Sequence, residues 1–185
     1  MVILIRHGET DSNLLNKGGY QFVCGQYESQ LTAKGRGDAA CLSAEFKDFD
    51  GRVFCSDLQR TVETACLIFP CRRIEVTPLL RERSLGIYEG RTVSELQEQI
   101  PGFDLSRFLQ EKDSFDSHLE GAENYRDVER RVTKFWNGIC YAPGEDIAIV
   151  SHSCTIKLIL KVLLGLTEAD TFKQRVACCT PIFIR

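Results

Sequence analysis

The chain has 185 residues, of which 43% are hydrophobic and 26% are charged, and its formal net charge is −3. A chain of this length can bury roughly 70% of its unfolded surface in one domain, and the composition excludes long disordered stretches. The slightly negative charge gives no reason to expect nucleic acid or an anionic membrane as the main partner, so any anion site must come from a local cluster of arginines. We predict a single domain over residues 1–185.

The cysteines and the apolar stretches indicate the cellular setting. Nine cysteines are present without a CxxC pair or a Cys/His finger spacing. We interpret them as small buried hydrophobic residues in a reducing compartment, not as a disulfide or zinc framework. The N-terminal apolar run is interrupted by Arg6 and is too short for a signal peptide, and lysines interrupt the stretch 156–166. These features predict a cytoplasmic protein.

The apolar patterning predicts strands that alternate with helices. In chain order we predict a strand at 2–6, a loop to about residue 29, a helix over 33–47 capped by Thr32, a strand at 52–56 and a helix over 57–69. The later elements are a strand at 74–76, helices over 93–100 and 123–141, a strand at 146–151, a helix over 154–164 and a last strand in the tail TPIFIR. Ser56 with Gln59 and Thr92 with Glu95 form capping-box patterns. Gly165 ends the predicted helix over 154–164.

Alternating strands and helices predict an α/β fold with a mainly parallel sheet and helices on both faces. Ligands collect at the carboxyl ends of the strands in such sheets. Three predicted strands end in polar residues: Arg6-His7-Gly8 follows the first, Ser56 through Arg60 follows the second, and Ser151-His152-Ser153 follows the fourth. Parallel pairing would bring these segments to one edge of the sheet.

A phosphate dianion is the ligand that suits such an edge best. Arginine guanidinium groups match phosphate oxygens, and the N–H groups of the helices that begin near residues 57 and 153 add donors. A neutral imidazole could attack phosphorus while the other cationic groups stabilise charge on the transferred group. The leaving alkoxide would need a proton donor, and spacing does not choose among five candidates: Glu9, Asp11, Asp57, Glu82 and Glu89.

Each of these residues also has an ordinary structural explanation. A single histidine after a strand is more often a hydrogen-bonded structural residue, and an arginine on a helix is more often at the surface. Glu82 lies between Arg81 and Arg83, which could simply pair with it. His118 is interpreted as a loop residue and Cys154 as a packing residue. The combination of three strand ends outweighs these individual explanations.

The chain resembles the histidine phosphatase superfamily, which contains the cofactor-dependent phosphoglycerate mutases and the fructose-2,6-bisphosphatases. The segment LIRHGETDSN is similar to the phosphohistidine signature of that family. The resemblance continues, in the expected order, through CGQYESQLTAKG, CSDLQRTVETA, LLRERSLGIYEG, LEGAENYRDVERRV and IVSHSCTIKLIL. It therefore covers nearly the whole chain.

This resemblance implies roles for six residues. His7 would be the nucleophile that becomes phosphohistidine, and Glu82 would be the proton donor. His152, counted with the catalytic residues, would share the phosphate pocket with three others: Arg6, Asn13 and Arg60. The resemblance also implies a Rossmann-like or flavodoxin-like three-layer α/β/α fold, as in the phosphoglycerate mutases, and no metal or organic cofactor.

Within the family, we expect a metal-independent phosphomonoester hydrolase for a small phosphorylated metabolite such as a sugar phosphate. The segment between Glu82 and His152 is short, and SLGIYEGRTVSEL looks like the phosphatase pattern. FVCGQYESQL looks more like the mutase stretch, although Gln26 replaces a common aromatic residue. A phosphoglycerate mutase is therefore the first alternative.

Two further alternatives come from other classes. One is a non-catalytic module that binds a phosphorylated partner, and the other is a metallohydrolase built on the histidines, which neighbouring arginines would disfavour. The sequence predicts specificity in residues 14–30 and 101–124. Four cationic or titratable residues there could reach a second anionic group on the substrate: Lys17, Arg107, Lys112 and His118.

Overall fold

The computed structural model describes residues 1–140, 142 and 144–185. The strands are β1 (Val2–Arg6), β2 (Phe22–Val23), β3 (Arg52–Cys55), β4 (Ile74–Val76), β5 (Arg91–Thr92), β6 (Ile147–Ser151) and β7 (Ile182–Ile184). The helices are α1 (Asp11–Lys17), α2 (Ala33–Leu42), α3 (Gln59–Ile68), α4 (Val93–Gln99), α5 (Leu105–Glu111), α6 (Tyr125–Gly138), α7 (Ser153–Leu164) and α8 (Glu168–Lys173). Short 3₁₀ turns cover Pro78–Leu80 and Gly86–Tyr88.

Five strands form the central sheet in the order β4-β3-β6-β1-β7. The first four run parallel, and β7 pairs antiparallel with β1. Successive side chains of a strand point to opposite faces, so Leu4 packs with α6 and α7 while Ile3 and Ile5 pack with α2 and α3. The predicted α/β fold with helices on both faces of a mainly parallel sheet is confirmed.

A smaller apolar cluster lies outside these two layers. It joins Val23 of β2 to Leu96, Phe108 and Leu119. Three of these residues belong to one stretch of chain, residues 85–124, which contains α4 and α5 and is called the 85–124 segment below. Strand β5 of this segment pairs antiparallel with β2. The segment is thus attached to the loop that follows β1.

Several predicted boundaries agree with the structure and others are wrong. The capping box of Thr92 and Glu95 is formed, and Gly165 ends α7 with a positive φ of 65°. Ser56 and Gln59 do not form a capping box, because α3 begins at Gln59 itself with Leu58 at its N-cap. The Ser56 hydroxyl instead accepts a hydrogen bond from the Leu58 N–H.

The predicted loop from residue 7 to about 29 contains structure that the sequence analysis missed. Thr10 and Asn13 form a reciprocal capping box at the start of α1, and strand β2 follows. Helices α5 and α8 were also not predicted, and α2 ends at residue 42 instead of 47. Beyond that end, Phe46 and Phe49 still pack against Phe69 through turns, so the apolar spacing marks burial rather than helix.

The cysteines are much less buried than predicted. All nine cysteines are free thiols in the structure. Only Cys55 is buried, and four of the others are exposed. Among the described helices, none is long and apolar enough to cross a membrane.

Candidate active site

The two histidines that follow β1 and β6 lie side by side. Parallel pairing puts Arg6 opposite Ser151, and the His7 N–H donates to the Ser151 carbonyl at 3.0 Å. The imidazole rings are therefore neighbours, with centroids 5.2 Å apart and planes at 60°. Both rings are buried, at 5% exposure for His7 and 0% for His152. The sheet register alone thus brings together two residues separated by most of the chain.

One hydrogen bond defines which nitrogen of His7 can react. His7 Nδ1 lies 2.7 Å from the Gly8 carbonyl oxygen. A carbonyl only accepts, so Nδ1 carries the proton and Nε2 carries the lone pair in the neutral ring. Burial and the charges of Arg6 and Arg60 hold the His7 pKa well below its ordinary value of 6.5. His7 is therefore a neutral imidazole with an available Nε2 at neutral pH.

His152 is held in the neutral form by the same kinds of effect. Burial lowers its pKa well below 6.5, and the charges of Arg60, Arg131 and Arg6 add to this. Its position at the N-cap of α7 places it beside the amino end of that helix. Any anion bound between these groups would therefore relieve a local excess of positive charge.

Arg60 is buried beneath the site, not exposed on α3. Its side chain is 1% exposed, and its two terminal nitrogens donate to the carbonyls of Tyr27 and Gly25 at 2.8 and 2.9 Å. Arg6 donates through Nη1 to the Val176 carbonyl at 2.9 Å. These bonds fix both guanidinium groups while leaving their Nε atoms for another partner.

Four buried side-chain nitrogens have no hydrogen-bond partner within the described part of the chain: Arg6 Nε, Arg60 Nε, His152 Nδ1 and His152 Nε2. Native proteins leave few buried polar groups unpaired, since each costs about 1–3 kcal/mol. All four belong to residues around His7, and the two arginine atoms are N–H donors. This concentration of donors at one place is the arrangement that an oxyanion ligand satisfies.

Gly8 permits the backbone that follows His7 to lie close to the backbone of α2. A Cβ atom at this position would lie 2.6 Å from the Gly35 carbonyl oxygen. The Gly8 N–H donates to the Thr64 hydroxyl at 3.1 Å, which ties this backbone to α3. The end of β1 is therefore packed directly against α2 and α3.

The Glu82 carboxylate is held by backbone groups, not by the arginines beside it in sequence. Oε1 accepts from the N–H groups of Arg83 and Thr155 at 3.0 and 3.3 Å, and Oε2 accepts from Cys154 N–H at 3.2 Å. Cys154 and Thr155 are in the first turn of α7, immediately after His152. The helix start thus fixes Glu82 next to the second histidine.

The two neighbouring arginines have other partners. Arg81 forms a two-point ion pair with Asp57 at 2.7 and 2.8 Å, which holds the Asp57 pKa below its usual range. Arg83 lies over the Tyr125 ring at 4.8 Å. The ordinary explanation of Glu82 as the partner of its flanking arginines is therefore wrong.

A loop around Gln26 connects Arg60 to Glu82, whereas the sequence predicted only a role in specificity for residues 14–30. The Gln26 amide donates through Nε2 to the Glu82 carbonyl at 3.0 Å and accepts from Arg81 at 3.3 Å. The Glu89 carboxylate accepts from the Gln26 N–H at 3.0 Å. Gln26 drew attention in the sequence only because it replaces a common aromatic residue.

Arg131 of α6 is a second residue that the sequence did not reveal. It pairs with Glu123 and donates to the backbone carbonyls of Leu79 and Glu82 at 2.9 and 3.1 Å. These bonds fix the backbone that carries Glu82. No sequence pattern predicts this contact, because the partners are backbone carbonyls some 50 residues away in the chain.

The other candidate acids have different surroundings, although Glu9 lines the same cavity as Arg6 and Asn13. Glu9 pairs with Lys17 and accepts from the Thr32 hydroxyl, and Asp11 is exposed at the start of α1. Asn13 is on the same helix, where its Oδ1 accepts from Thr10 N–H at 3.1 Å. Glu82 is therefore the candidate acid that the structure places beside His152.

Three cavities surround the predicted phosphate residues. One of about 640 Å³ and one of about 430 Å³ both include Arg6 and Asn13 in their walls. A third, of about 180 Å³, includes Glu82 and Ser153. Leu85 lines both this cavity and the one of about 430 Å³. Arg6, Asn13 and the candidate acid Glu82 therefore each line a cavity, and Leu85 lies between the two smaller ones.

The four residues expected to reach a second anionic group are dispersed. Lys112 lines the cavity of about 430 Å³, and Lys17 lines that of about 640 Å³ but pairs with Glu9. Arg107 lines a separate cavity that includes none of the predicted site residues. His118 is exposed and lies 2.7 Å from Asp127, outside the site. Of these four residues, only Lys17 and Lys112 line a cavity that also includes Arg6 and Asn13.

Metal ligands are not assembled at this edge. The described residues contain no group of three or more His, Cys, Asp or Glu side chains arranged to hold a metal ion. The geometry that the metallohydrolase alternative requires is therefore not present in that part of the chain.

Comparisons with known proteins agree with this geometry. The chain matches the histidine phosphatase superfamily (branch 1) over residues 2–183, and it belongs to that family. A probable phosphoglycerate mutase, GpmB, of Salmonella paratyphi C is 28% identical over 183 residues, covering 97% of this chain and 81% of the relative.

Solved structures share the fold. The structure of a putative α-ribazole-5′-phosphate phosphatase from Escherichia coli superimposes with a TM-score of 0.83 at 25% identity, covering 97% of this chain and 87% of that one. YhfR of Bacillus stearothermophilus gives 0.77 at 25% identity, covering 96% and 86%. A mycobacterial glucosyl-3-phosphoglycerate phosphatase gives 0.76 at 23%, covering 97% and 90%. The predicted family, fold and enzyme class, a histidine phosphatase, are confirmed.

Proposed function

We propose that the chain is a metal-independent phosphomonoester hydrolase that acts through a phosphohistidine intermediate at His7 on a small phosphorylated metabolite. The observation that carries this proposal is the group of unpartnered buried nitrogens around a neutral His7. Arg6, Arg60 and His152 would bind the phosphoryl oxygens. The Asn13 amide, which lines the adjoining cavities, would contact the transferred group.

In the first step, His7 Nε2 attacks phosphorus and forms the P–N bond while the bond to the leaving oxygen breaks. Protonated Glu82 gives its proton to that oxygen, so the product leaves as a neutral alcohol. Arg6 and Arg60 stabilise charge on the equatorial oxygens throughout. Their fixed hydrogen bonds to backbone carbonyls mean that they need little rearrangement.

In the second step, the Glu82 carboxylate takes a proton from water, whose oxygen attacks phosphorus as the P–N bond breaks. His7 returns to its neutral form and inorganic phosphate leaves. The amino end of α7 keeps Glu82 beside the site in both steps. One carboxyl group can therefore serve as acid and then as base.

A phosphoglycerate mutase is the second candidate because a relative bears that name. In that reaction the phosphoryl group would return to a second hydroxyl of the bound substrate instead of passing to water. The short segment between Glu82 and His152 favours hydrolysis, because a site open to water lets water take the phosphoryl group.

Phosphate release from sugar phosphates, phosphoglycerates and an aryl phosphate, measured with chelator present, tests the proposal. We expect release that persists in chelator and is lost in His7→Ala. Interconversion of phosphoglycerates faster than phosphate release would favour the mutase. Absence of both reactions, with retained phosphate binding, would favour the non-catalytic binding module.

A further inference from the structure

The backbone that carries Glu82 is held by side chains from other parts of the chain. Residues 81–85 form neither helix nor strand, so regular structure does not supply partners for their carbonyls. Four consecutive carbonyls, from residue 79 to residue 82, each accept a hydrogen bond from a side chain. The four donor side chains lie in the loop after β2, in α6, in β6 and in α7: Gln26, Arg131, Ser151 and Thr155. The position of the Glu82 backbone therefore depends on these donors.

Thr155 differs from the other three donors because it contacts both the backbone and the carboxylate of this segment. Its Oγ1 donates to the Arg81 carbonyl at 2.6 Å, and its N–H donates to Glu82 Oε1 at 3.3 Å. The residue is 0% exposed, so water does not compete with the hydroxyl for that carbonyl. One buried residue thus fixes the acid at its carboxylate and at the peptide unit before it.

The Thr155 N–H is available for this contact because of its place in α7. The first hydrogen bond inside this helix runs from the Ile156 N–H to the His152 carbonyl at 2.9 Å. The N–H groups of residues 154 and 155 precede it and have no partner inside the helix. Both donate to the Glu82 carboxylate. The start of α7 therefore binds the carboxylate, and the Thr155 hydroxyl holds the adjoining backbone within reach.

The Thr155 hydroxyl does not form the local bond that is usual for a threonine in a helix. Such hydroxyls commonly donate to the carbonyl four residues earlier, as Thr171 does to Thr167 at 2.7 Å in α8. Thr155 instead donates to a residue 74 positions away in the chain. A valine would fill the same buried space, so the hydroxyl serves this one tertiary contact.

We propose that Thr155 is a positioning residue for the proton donor, because its hydroxyl holds the Arg81 backbone so that the Glu82 carboxyl lies beside His152. The proposal rests on the proposed function, in which Glu82 protonates the leaving oxygen. Thr155 acts through Glu82 and does not contact the phosphoryl group. Its loss should therefore slow only those reactions in which the leaving group needs a proton.

The first test compares two variants on two esters. Thr155→Val replaces the hydroxyl with a methyl group of similar size, and Thr155→Ser keeps the hydroxyl. For ethyl phosphate we expect kcat/KM to fall about ten- to a hundredfold in Thr155→Val, as for a catalytic group displaced by about 1 Å. Thr155→Ser should restore most of this rate.

The second ester, para-nitrophenyl phosphate, has a leaving group that needs no proton. Because kcat/KM reports formation of phosphohistidine and not its later hydrolysis, this value should fall less than about threefold in Thr155→Val. An equal loss for both esters, or no loss for ethyl phosphate, would overturn the proposal. A merely structural role of the threonine predicts the equal loss.

A control and a double variant locate the effect. Thr171 is also 0% exposed and its hydroxyl also donates to a backbone carbonyl, so Thr171→Val should leave both rates unchanged. In the Glu82→Gln background, Thr155→Val should cause less than about a twofold further loss for ethyl phosphate, because the residue that it positions no longer carries the proton. Losses that multiply fully would contradict the proposal.

Hydrogen exchange separates this proposal from the proposed function, since it requires no turnover. The Cys154 N–H donates to Glu82 Oε2 at 3.2 Å, and its exchange can be followed by NMR. We expect exchange at least about fivefold faster in Thr155→Val and unchanged in Thr155→Ser and Thr171→Val. Faster exchange in Thr155→Val, with no ester hydrolysed by the wild type, would support the positioning and refute the hydrolase. Hydrolysis with unchanged exchange and an equal loss for both esters would refute the positioning and leave the hydrolase intact.

Discussion

The carboxyl edge of the central sheet and the 85–124 segment differ in the kinds of side chain that they bury. At the sheet edge, charged and titratable side chains such as Arg60 and His152 are almost fully buried. In the 85–124 segment, Leu96 and Phe108 form the interior, while Arg107 pairs with Glu111 at the surface. Buried polar groups need a specific ligand. We therefore propose that the edge carries out the chemistry common to all substrates and that the segment contributes to the choice among them.

Replacement of His7 should give the largest effect on activity, and the effect should be equal for all substrates. Without the nucleophile, His7→Ala should lose at least about a thousandfold in kcat/KM on every ester of a panel, as expected for removal of a covalent catalyst. His118→Ala is the matched control, because that histidine is exposed and bonded to Asp127. A loss that varies with the substituent of the ester would contradict the proposal that the sheet edge carries out the chemistry and the 85–124 segment contributes to the choice of substrate.

Replacement of Glu82 should have an effect that depends on the leaving group. Glu82→Gln keeps the size but removes the proton, so kcat/KM for alkyl phosphates should fall by about 10²- to 10⁴-fold. Esters of acidic phenols need no protonation and should lose far less. Asp11→Asn, at an exposed carboxylate at the start of α1, serves as the control. A uniform loss across both kinds of ester would argue against Glu82 as the acid.

Gln26 should have a smaller effect as a positioning residue. Gln26→Met removes the hydrogen bonds to the Glu82 carbonyl and to Arg81, so kcat should fall by about three- to thirtyfold, the range expected for two hydrogen bonds. The fall should be larger for alkyl than for acidic phenyl esters, because the proton donor is displaced. Gln30→Met, at an exposed position, should behave like the wild type. If kcat fell equally for alkyl and acidic phenyl esters, Gln26 would have a structural role and would not position the proton donor.

The buried histidines should also affect stability against pH. Their pKa values are lowered in the folded state, so the unfolded chain binds more protons below pH 6.5. Stability should be constant above about pH 6.5 and fall as the pH decreases towards the lowered values, by at most about 1.4 kcal/mol per pH unit for each histidine. Denaturant unfolding of His152→Asn should show a shallower dependence, and an identical slope would contradict the neutral buried state.

The sequence predicted the sheet and its edge because both depend on local patterns. Apolar runs such as Val2–Arg6 and Ile147–Ser151 predict strands. The polar residues that follow each run in the sequence must then lie at the end of that strand. The sequence missed α1 because its capping box uses Asn13 in place of the usual glutamate or glutamine. Apolar residues of the 85–124 segment come from short elements, too short for their periodicity to be recognised.

Contacts of the site with backbone groups were beyond prediction for another reason. Sequence spacing suggested that Arg81 and Arg83 would pair with Glu82, yet its carboxylate bonds to N–H groups of α7. Such bonds depend on how two distant segments pack together. Because every residue except proline has a backbone N–H group, the residue types do not indicate which of these groups forms the bond. The resemblance to the family named Glu82, and the structure supplies the physical reason for its position.

The central claim is that His7 carries the phosphoryl group between substrate and water. The most direct test is to mix the enzyme with substrate, stop the reaction with alkaline denaturant within one turnover, and locate the phosphoryl group by peptide mass spectrometry. Our account predicts one acid-labile phosphoryl group on the peptide that contains His7, and none in His7→Ala. A phosphoryl group on another residue, or steady turnover in His7→Ala without any phosphorylated peptide, would contradict it.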